Sequence, residues 1–107
     1  MNIPIKKDLD AIVAKITLII PDAKVYLFGS FATGTHREDS DIDLCVVMPK
    51  FQEEQIDTIT TIRKAIRGTT KFPVDVLAYE SNVFEDRAKL KATLQYTIVN
   101  KGVLLNG

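Results

Sequence analysis

The sequence has a single cysteine, Cys45, among its 107 residues. A lone cysteine excludes a disulfide within the chain and a zinc site built from cysteines. No apolar run approaches the roughly 20 residues that cross a bilayer, and the first residues lack the basic-then-apolar pattern of a signal peptide. We therefore expect a cytoplasmic protein with no membrane segment.

An excess of either charge is also missing, because Lys and Arg number 14 and Asp and Glu number 14. Proteins whose main task is to bind nucleic acid usually carry a basic footprint. The neutral balance and the lack of a basic patch weigh against a nucleic-acid partner. A small anionic ligand neutralised by bound metal remains compatible with this balance.

Linkers rich in Gly or Ser, internal repeats and low-complexity tracts are absent as well. We expect a single domain over residues 1–107, because 46% hydrophobic residues suffice for one core. The apolar spacing predicts helices over 5–20, 30–35, 51–67 and, with a break, 81–100, strands over 24–28, 41–48 and 74–79, and a short apolar tail at 103–105. This order predicts an α/β (α+β) fold: a small mixed β-sheet of about three strands with helices packed on it.

Three aspartates lie where strand alternation brings carboxylates together. Asp41 and Asp43 are two apart in a predicted strand, so their side chains leave the same face with Cβ atoms about 6–7 Å apart. Asp75 stands inside the third, otherwise apolar strand, where an unpaired carboxylate costs free energy. If the two strands are neighbours, three carboxylates can hold two divalent ions. Carboxylate oxygens suit Mg²⁺, with Mn²⁺ as the alternative ion.

A Gly29-Ser30 turn follows the first predicted strand. Glycine lets the backbone approach a phosphate closely, and N–H groups at the start of the next helix favour an anion. The Ser30 hydroxyl can donate a hydrogen bond to a phosphate oxygen. Together with the carboxylates, this turn predicts a site for a nucleoside triphosphate and metal.

Each of these features alone has a simpler interpretation. A Gly-Ser pair after a strand is usually only a turn, and an Asp-x-Asp pair can be a solvated strand edge. An EF-hand loop starting at Asp39 would need Gly and Glu where the sequence has Leu44 and Lys50, so we exclude it. The conjunction of turn, carboxylate pair and later strand aspartate favours a catalytic site.

The segments Gly29-Ser30 and Ser40-Asp41-Ile42-Asp43-Leu44 resemble the signature of the DNA polymerase β-like nucleotidyltransferase superfamily, and Val74-Asp75-Val76 matches its third-carboxylate strand. The likeness is closest to the minimal nucleotidyltransferase (MNT) domains of bacteria and archaea and covers nearly the whole chain. It implies that Asp41 and Asp43 ligate two metal ions and that Asp75 ligates the catalytic one and helps as base. A hydroxyl would attack the α-phosphorus of ATP, accept AMP and expel pyrophosphate.

The resemblance also implies nucleotide contacts from Gly29, Ser30 and Ser40. The sequence departs from the family pattern at Thr33, because many relatives have Arg or Lys just before the following glycine. Arg37 is then the candidate to supply that charge from the loop. The alternative is that Arg37, like the single His36, is a solvated loop residue.

MNT domains that resemble this chain are often paired with small helical HEPN proteins, as antitoxins that in some systems add AMP to a tyrosine of the toxin. The resemblance thus implies a protein adenylyltransferase with a HEPN-type partner. Another chain, either a second copy or a different protein, would complete the acceptor site. One apolar segment either covers the sheet or forms that interface: Leu90, Leu94, Ile98, Val103, Leu104 and Leu105.

Two other functions stay open at this point. The chain could be a non-catalytic antitoxin that neutralises its partner by docking alone. It could also be a nucleotidyltransferase that acts on a small molecule. The intact set of three aspartates favours the enzyme, since a pure binder need not keep three costly carboxylates.

Overall fold

The computed structural model describes residues 5–106. Its helices are α1 (Lys6–Ile19), α2 (Ser30–Thr33), α3 (Gln55–Ala65), α4 (Ser81–Ala88) and α5 (Leu94–Lys101), and its strands are β1 (Lys24–Phe28), β2 (Ile42–Met48), β3 (Val74–Glu80) and β4 (Val103–Leu104). The strands form one sheet in the order β3-β2-β1-β4. Strands β2 and β3 are parallel, whereas β1 is antiparallel to both of its neighbours. The predicted mixed sheet with packed helices is confirmed.

Helices cover the sheet from two sides, so alternate residues of β2 enter two different cores. Ile42, Leu44, Val46 and Met48 face a core shared with α1, α2 and α3. On the opposite face, Cys45 packs with residues of α4 and α5. The central strand is therefore buried on both faces along most of its length, and only its first residues are left for a site.

The sheet in residues 5–106 has four strands, one more than the approximate number expected from the sequence. Val103–Leu104, predicted as an apolar tail, pairs with β1 as β4. Asn106 extends this pairing with its side chain: Oδ1 accepts from the Val25 N–H at 2.7 Å, and Nδ2 donates to the Ala23 carbonyl at 2.8 Å. A two-residue strand is too short to show alternation, which is why the sequence pattern did not reveal it.

Three helices have ends that differ slightly from the predicted ones or define them more closely. Helix α2 ends at Thr33 because Gly34 adopts a left-handed conformation, with φ of 79°. Helix α3 begins at Gln55 rather than at residue 51. The expected break in the last predicted helix is present, and Thr93 caps α5 by accepting the Tyr96 N–H at 3.1 Å. No helix in the described part of the chain is long and apolar enough to span a membrane.

The apolar C-terminal residues divide between core and surface. Ile98 is fully buried, Val103 and Leu105 pack against the core, and Leu90, Leu94 and Leu104 are exposed. The segment therefore supplies core residues and also leaves apolar side chains in contact with solvent.

Candidate active site

Asp43 and Asp75 stand directly opposite each other on neighbouring parallel strands. They are register partners in the β2–β3 ladder, on the sheet face that α4 and α5 cover further along. Asp43 is half-buried and Asp75, on the edge strand, is exposed. Adjacent strands lie about 4.8 Å apart, so the two carboxylates project from one small area of the sheet. The sequence left open whether the second and third strands are neighbours, and the structure shows that they pair directly.

Asp41 lies one residue before β2 and is exposed, so it is not part of the strand as predicted. Its carboxylate is still close enough to influence Asp43. Burial raises the pKa of Asp43, and the charges of Asp75 and Asp41 raise that pKa further. The three aspartates therefore form one electrostatic group with negative charges in excess.

No Lys or Arg within residues 5–106 forms an ion pair with these three carboxylates; the two ion pairs found there join other residues. Across the same residues, no three side chains of His, Cys, Asp or Glu converge closely enough to make a ready metal site. A carboxylate group with no cation from the chain is the donor set that a divalent metal ion prefers. The residues present thus fit a hard divalent ion, which would require the side chains to turn toward one point.

Gly29, in the turn predicted to bind phosphate, lies against one of the three aspartates. Its φ of 76° and ψ of −155° lie in a region that is essentially restricted to glycine. A Cβ at this position would overlap the carboxylate of Asp43 and stand 3.1 Å from its Cγ. The backbone of the turn therefore lies directly against the carboxylate, an approach that any side chain would block.

The first turn of α2 leaves backbone donors next to Asp43. The N–H groups of Ala32 and Thr33 both donate to the Gly29 carbonyl at 3.1 Å. The N–H groups of Ser30 and Phe31 come earlier in the helix, where no preceding turn supplies an acceptor. These two donors are the groups that an anion at this position would use.

Thr33 forms hydrogen bonds within the short helix α2. Its Oγ1 donates to the Gly29 carbonyl at 3.3 Å and lies 3.0 Å from the Thr35 hydroxyl. These bonds stabilise the helix at the position where the resemblance led us to expect a basic residue.

The loop from Gly34 to Asp41 holds Ser40 and Arg37 in a tight turn. The Arg37 N–H donates to the Ser40 hydroxyl at 2.7 Å, and the Ser40 N–H donates to the Arg37 carbonyl at 3.1 Å. Arg37 lines a cavity with Ile5 and Phe72, and none of the three aspartates lines that cavity. The structure therefore gathers Gly29, Ser30 and the three aspartates, whereas Ser40 bonds to the loop backbone and Arg37 lines a separate cavity.

The largest cavities of the described residues do not enclose the aspartates. One of about 410 Å³ lies between the end of α1 and residues 48–53, at the far end of β2. Met48 lines this cavity and follows Asp43 by five strand residues, a span of roughly 17 Å, so the cavity is remote from Asp43. The carboxylate group is thus an open site on the sheet rather than a closed pocket.

Comparisons with known proteins agree with this geometry. The family described as nucleotidyltransferase domain matches residues 6–103. A solved structure from Sulfolobus solfataricus, provisionally described as a nucleotidyltransferase, shares 27% identity and a TM-score of 0.65, covering 94% of this chain and 78% of that one. No protein of curated function matches the chain.

Two toxin–antitoxin structures share the fold at lower identity. One contains AMP-PNP and has 22% identity with a TM-score of 0.59, and the other, MntA–HpeT with two Asp-to-Glu substitutions, has 20% identity and 0.57. Each match covers 92% of this chain and 72% of the other. Because the family match spans residues 6–103 of 107, the chain belongs to the nucleotidyltransferase domain family.

Proposed function

We propose that this nucleotidyltransferase moves AMP from ATP onto a hydroxyl of a protein partner, and that it acts as the antitoxin of a pair whose toxin is a small helical HEPN-type protein. The observation that carries the catalytic part is the arrangement of Gly29, Asp43 and Asp75. A phosphate-binding turn touches one carboxylate, and the second carboxylate stands beside it in register.

Divalent metal is part of the proposal, because the carboxylates of Asp41, Asp43 and Asp75 repel one another without a cation from the chain. These three side chains would hold one or two Mg²⁺ ions, with Mn²⁺ as a substitute. When bound, the metal would neutralise the triphosphate and lower the pKa of the acceptor hydroxyl.

The residues of the chain have separate tasks in the proposed reaction. The Ser30 and Phe31 N–H groups, with the Ser30 hydroxyl, bind phosphate oxygens and hold the α-phosphorus in line with the acceptor. The acceptor oxygen forms a bond to the α-phosphorus as the bond from that phosphorus to the bridging oxygen breaks. Asp75 takes the hydroxyl proton, and pyrophosphate leaves.

A protein acceptor is supported by the openness of the site and by its neighbours in fold. Asp75 is exposed on an edge strand, and none of Asp41, Asp43 and Asp75 lines the cavities of about 410, 400 and 550 Å³ among residues 5–106, so an acceptor carried by another chain has direct access. Two structures with the same fold are toxin–antitoxin proteins, one of them with an ATP analogue. This favours a toxin as the acceptor over a small molecule, which would need an enclosing pocket.

The test is incubation with ATP labelled on the α-phosphate, Mg²⁺ and the protein encoded beside this one. We expect label on the partner with the wild type, and a loss of at least about a hundredfold in Asp41→Asn, Asp43→Asn and Asp75→Asn, in the range for groups that stabilise a transition state. Asp22→Asn, an exposed aspartate remote from the site, is the matched control and should retain full transfer.

Three outcomes would contradict the proposal in different ways. Retained transfer in both Asp41→Asn and Asp75→Asn would refute the catalytic assignment. A tight complex with no label would indicate neutralisation by docking. Label on a small hydroxyl compound in place of the partner would indicate a small-molecule enzyme.

A further inference from the structure

The chain is neutral overall, yet its fold collects uncompensated cations around Phe72. Three cavities adjoin at this ring, of about 200, 400 and 550 Å³. Six exposed basic residues line them. Lys6 forms an ion pair with Asp10 at 2.8 Å. The other five have no ion-pair partner among residues 5–106: Lys7, Arg37, Arg63, Arg67 and Lys71. We call these five residues with Phe72 the basic surface. They come from α1, the loop before β2, α3 and the segment before β3, so no run of the sequence reveals them.

The basic surface is not neutralised by the rest of the described chain. None of its five cations has a carboxylate within ion-pair distance among residues 5–106. Of the two acidic residues that line the same cavities, Asp8 already accepts a hydrogen bond from Thr70 at 2.7 Å, and the other is Glu38. Exposed cations without partners make a local positive potential that a complementary surface can use.

Several contacts hold the centre of the basic surface in place. The Phe72 ring packs edge-on against Phe31 with centroids 5.4 Å apart, and the Lys71 ammonium lies 5.6 Å from its centroid. The Phe72 N–H donates to the Thr70 hydroxyl, which in turn holds Asp8 of α1. A surface fixed in this way loses little conformational entropy when a partner binds.

Two short segments of chain connect the basic surface to the aspartates. Lys71 precedes Asp75 by four residues and Arg37 precedes Asp41 by four, so the Cα atoms of each pair are at most about 14 Å apart. The Ile42 N–H donates to the Pro73 carbonyl at 2.8 Å, and this bond links the segment that precedes β2 to the segment that precedes β3. A protein bound here would be held beside the carboxylates that transfer the nucleotide.

We infer that the basic surface docks an acidic surface of the protein that receives the nucleotide. This deepens the proposed function and rests on it only in naming the docked protein as the acceptor. The five cations are spread over three cavities, an area larger than a single phosphate could contact. Apolar side chains, among them Ile66 and Val74, also line one of these cavities. Alternating cationic and apolar contacts match an amphipathic, acidic protein surface.

Two features disfavour a nucleic acid on the same surface. The Phe72 ring has one face under Lys71 and contacts Phe31, so it offers no free platform for stacking a base. A long polyanion that continues from Arg37 toward the site would pass Glu38 and Asp39. A compact acidic patch on a protein avoids this repulsion.

The test uses the full chain and a fluorescein-labelled amphipathic peptide of Glu, Leu and Ala, with fluorescence anisotropy at low salt. We expect the wild type to bind, and Arg63→Glu/Arg67→Glu/Lys71→Glu to bind at least about tenfold more weakly, a change of about 1.4 kcal/mol. The matched control reverses three other exposed lysines, Lys15→Glu/Lys91→Glu/Lys101→Glu, and should stay within about twofold of wild type. A neutral variant, Arg63→Gln/Arg67→Gln/Lys71→Gln, covers the case in which the reversed one does not fold and should be intermediate.

Two further binding measurements distinguish failure of the docking surface from failure of the catalytic proposal. Asp43→Asn should lose ATP–Mg²⁺ binding and keep peptide binding, whereas the reversed basic-surface variant should do the opposite. If the wild type binds no nucleotide but the peptide results hold, the proposed function fails and the docking surface stands. The docking inference is overturned if the reversed and control variants bind the peptide equally, if a peptide with Gln for every Glu binds as well, or if oligouridylate of matched charge binds more tightly.

Discussion

Gly29 lies against the carboxylate of Asp43, and this contact explains why the residue between strand β1 and helix α2 must be glycine. An added Cβ would overlap Asp43 Oδ2, and the positive φ is unfavourable for any other residue. The turn and the carboxylate are consequently built as one unit. A change in either of them should alter both phosphate and metal binding.

The first prediction concerns Gly29→Ala. We expect a loss of about 1–3 kcal/mol in the free energy of unfolding from the strained backbone, and a loss of nucleotide transfer because Asp43 is displaced. Gly34→Ala is the control, since it also has positive φ but an added Cβ meets no atom within 4 Å. It should cost about 1 kcal/mol and keep transfer. Urea unfolding and the labelled-ATP assay measure both effects, and equal losses of transfer would contradict the prediction.

The second prediction is a pH dependence from Asp43. Because burial and two neighbouring carboxylates raise its pKa, the native state holds this proton more tightly than the unfolded chain does. The resulting stabilisation is complete below the ordinary pKa of about 3.9 and is lost as pH rises through the native pKa. Without metal, the wild type should therefore lose more stability than Asp43→Asn between about pH 4 and about pH 7. Urea unfolding at both pH values tests this, with Asp22→Asn expected to follow the wild type.

Divalent metal should remove much of this difference. Mg²⁺ bound only by the native state raises the free energy of unfolding of the wild type in proportion to the logarithm of its concentration. Asp43→Asn should show little of that gain. The same increase in both proteins would place the ion elsewhere.

The third prediction concerns Cys45, two residues from Asp43 on the same face. Burial raises the pKa of its thiol to about 12, so at neutral pH almost no thiolate is present. We expect no reaction of the native protein with iodoacetamide at about pH 8, and full reaction once denaturant unfolds it. Mass spectrometry of the alkylated protein provides the measurement. Rapid native labelling would refute the view of Cys45 as a small buried core residue.

The fourth prediction is that Asn106→Ala destabilises the fold by about 1–3 kcal/mol, because it leaves the buried Val25 N–H without its acceptor and frees the Ala23 carbonyl. Asn82→Ala, an exposed asparagine of α4, is the matched control and should change stability by less than about 0.5 kcal/mol. Thermal unfolding of the two variants would distinguish them. Equal stability of the two variants would mean that the hydrogen bonds of the Asn106 side chain contribute nothing measurable to the fold.

The strand periodicity and turn chemistry of the sequence were enough to predict the order of the long helices and three strands. Patterns within a short stretch of sequence did not predict elements that are very short or whose bounds depend on pairing with a distant strand. Asp41 was assigned to β2, yet the strand begins one residue later, where the Ile42 N–H meets the carbonyl of Pro73. The partner of β4 is β1, a strand some eighty residues earlier, and Asn106 adds a side-chain bond to the same region; no local sequence pattern indicates such a distant partner.

The sequence alone predicted the candidate reactive groups, because the Gly-Ser turn, Asp41, Asp43 and Asp75 belong to a pattern that one chemistry requires. The tertiary structure decided how they meet. Parallel pairing places Asp75 opposite Asp43, and the turn of Gly29 completes the group. Folding also separated charge in a neutral chain, since cations from four segments meet around Phe72. Composition counts charges and periodicity assigns faces, but only the packing of distant segments fixes which charges become neighbours.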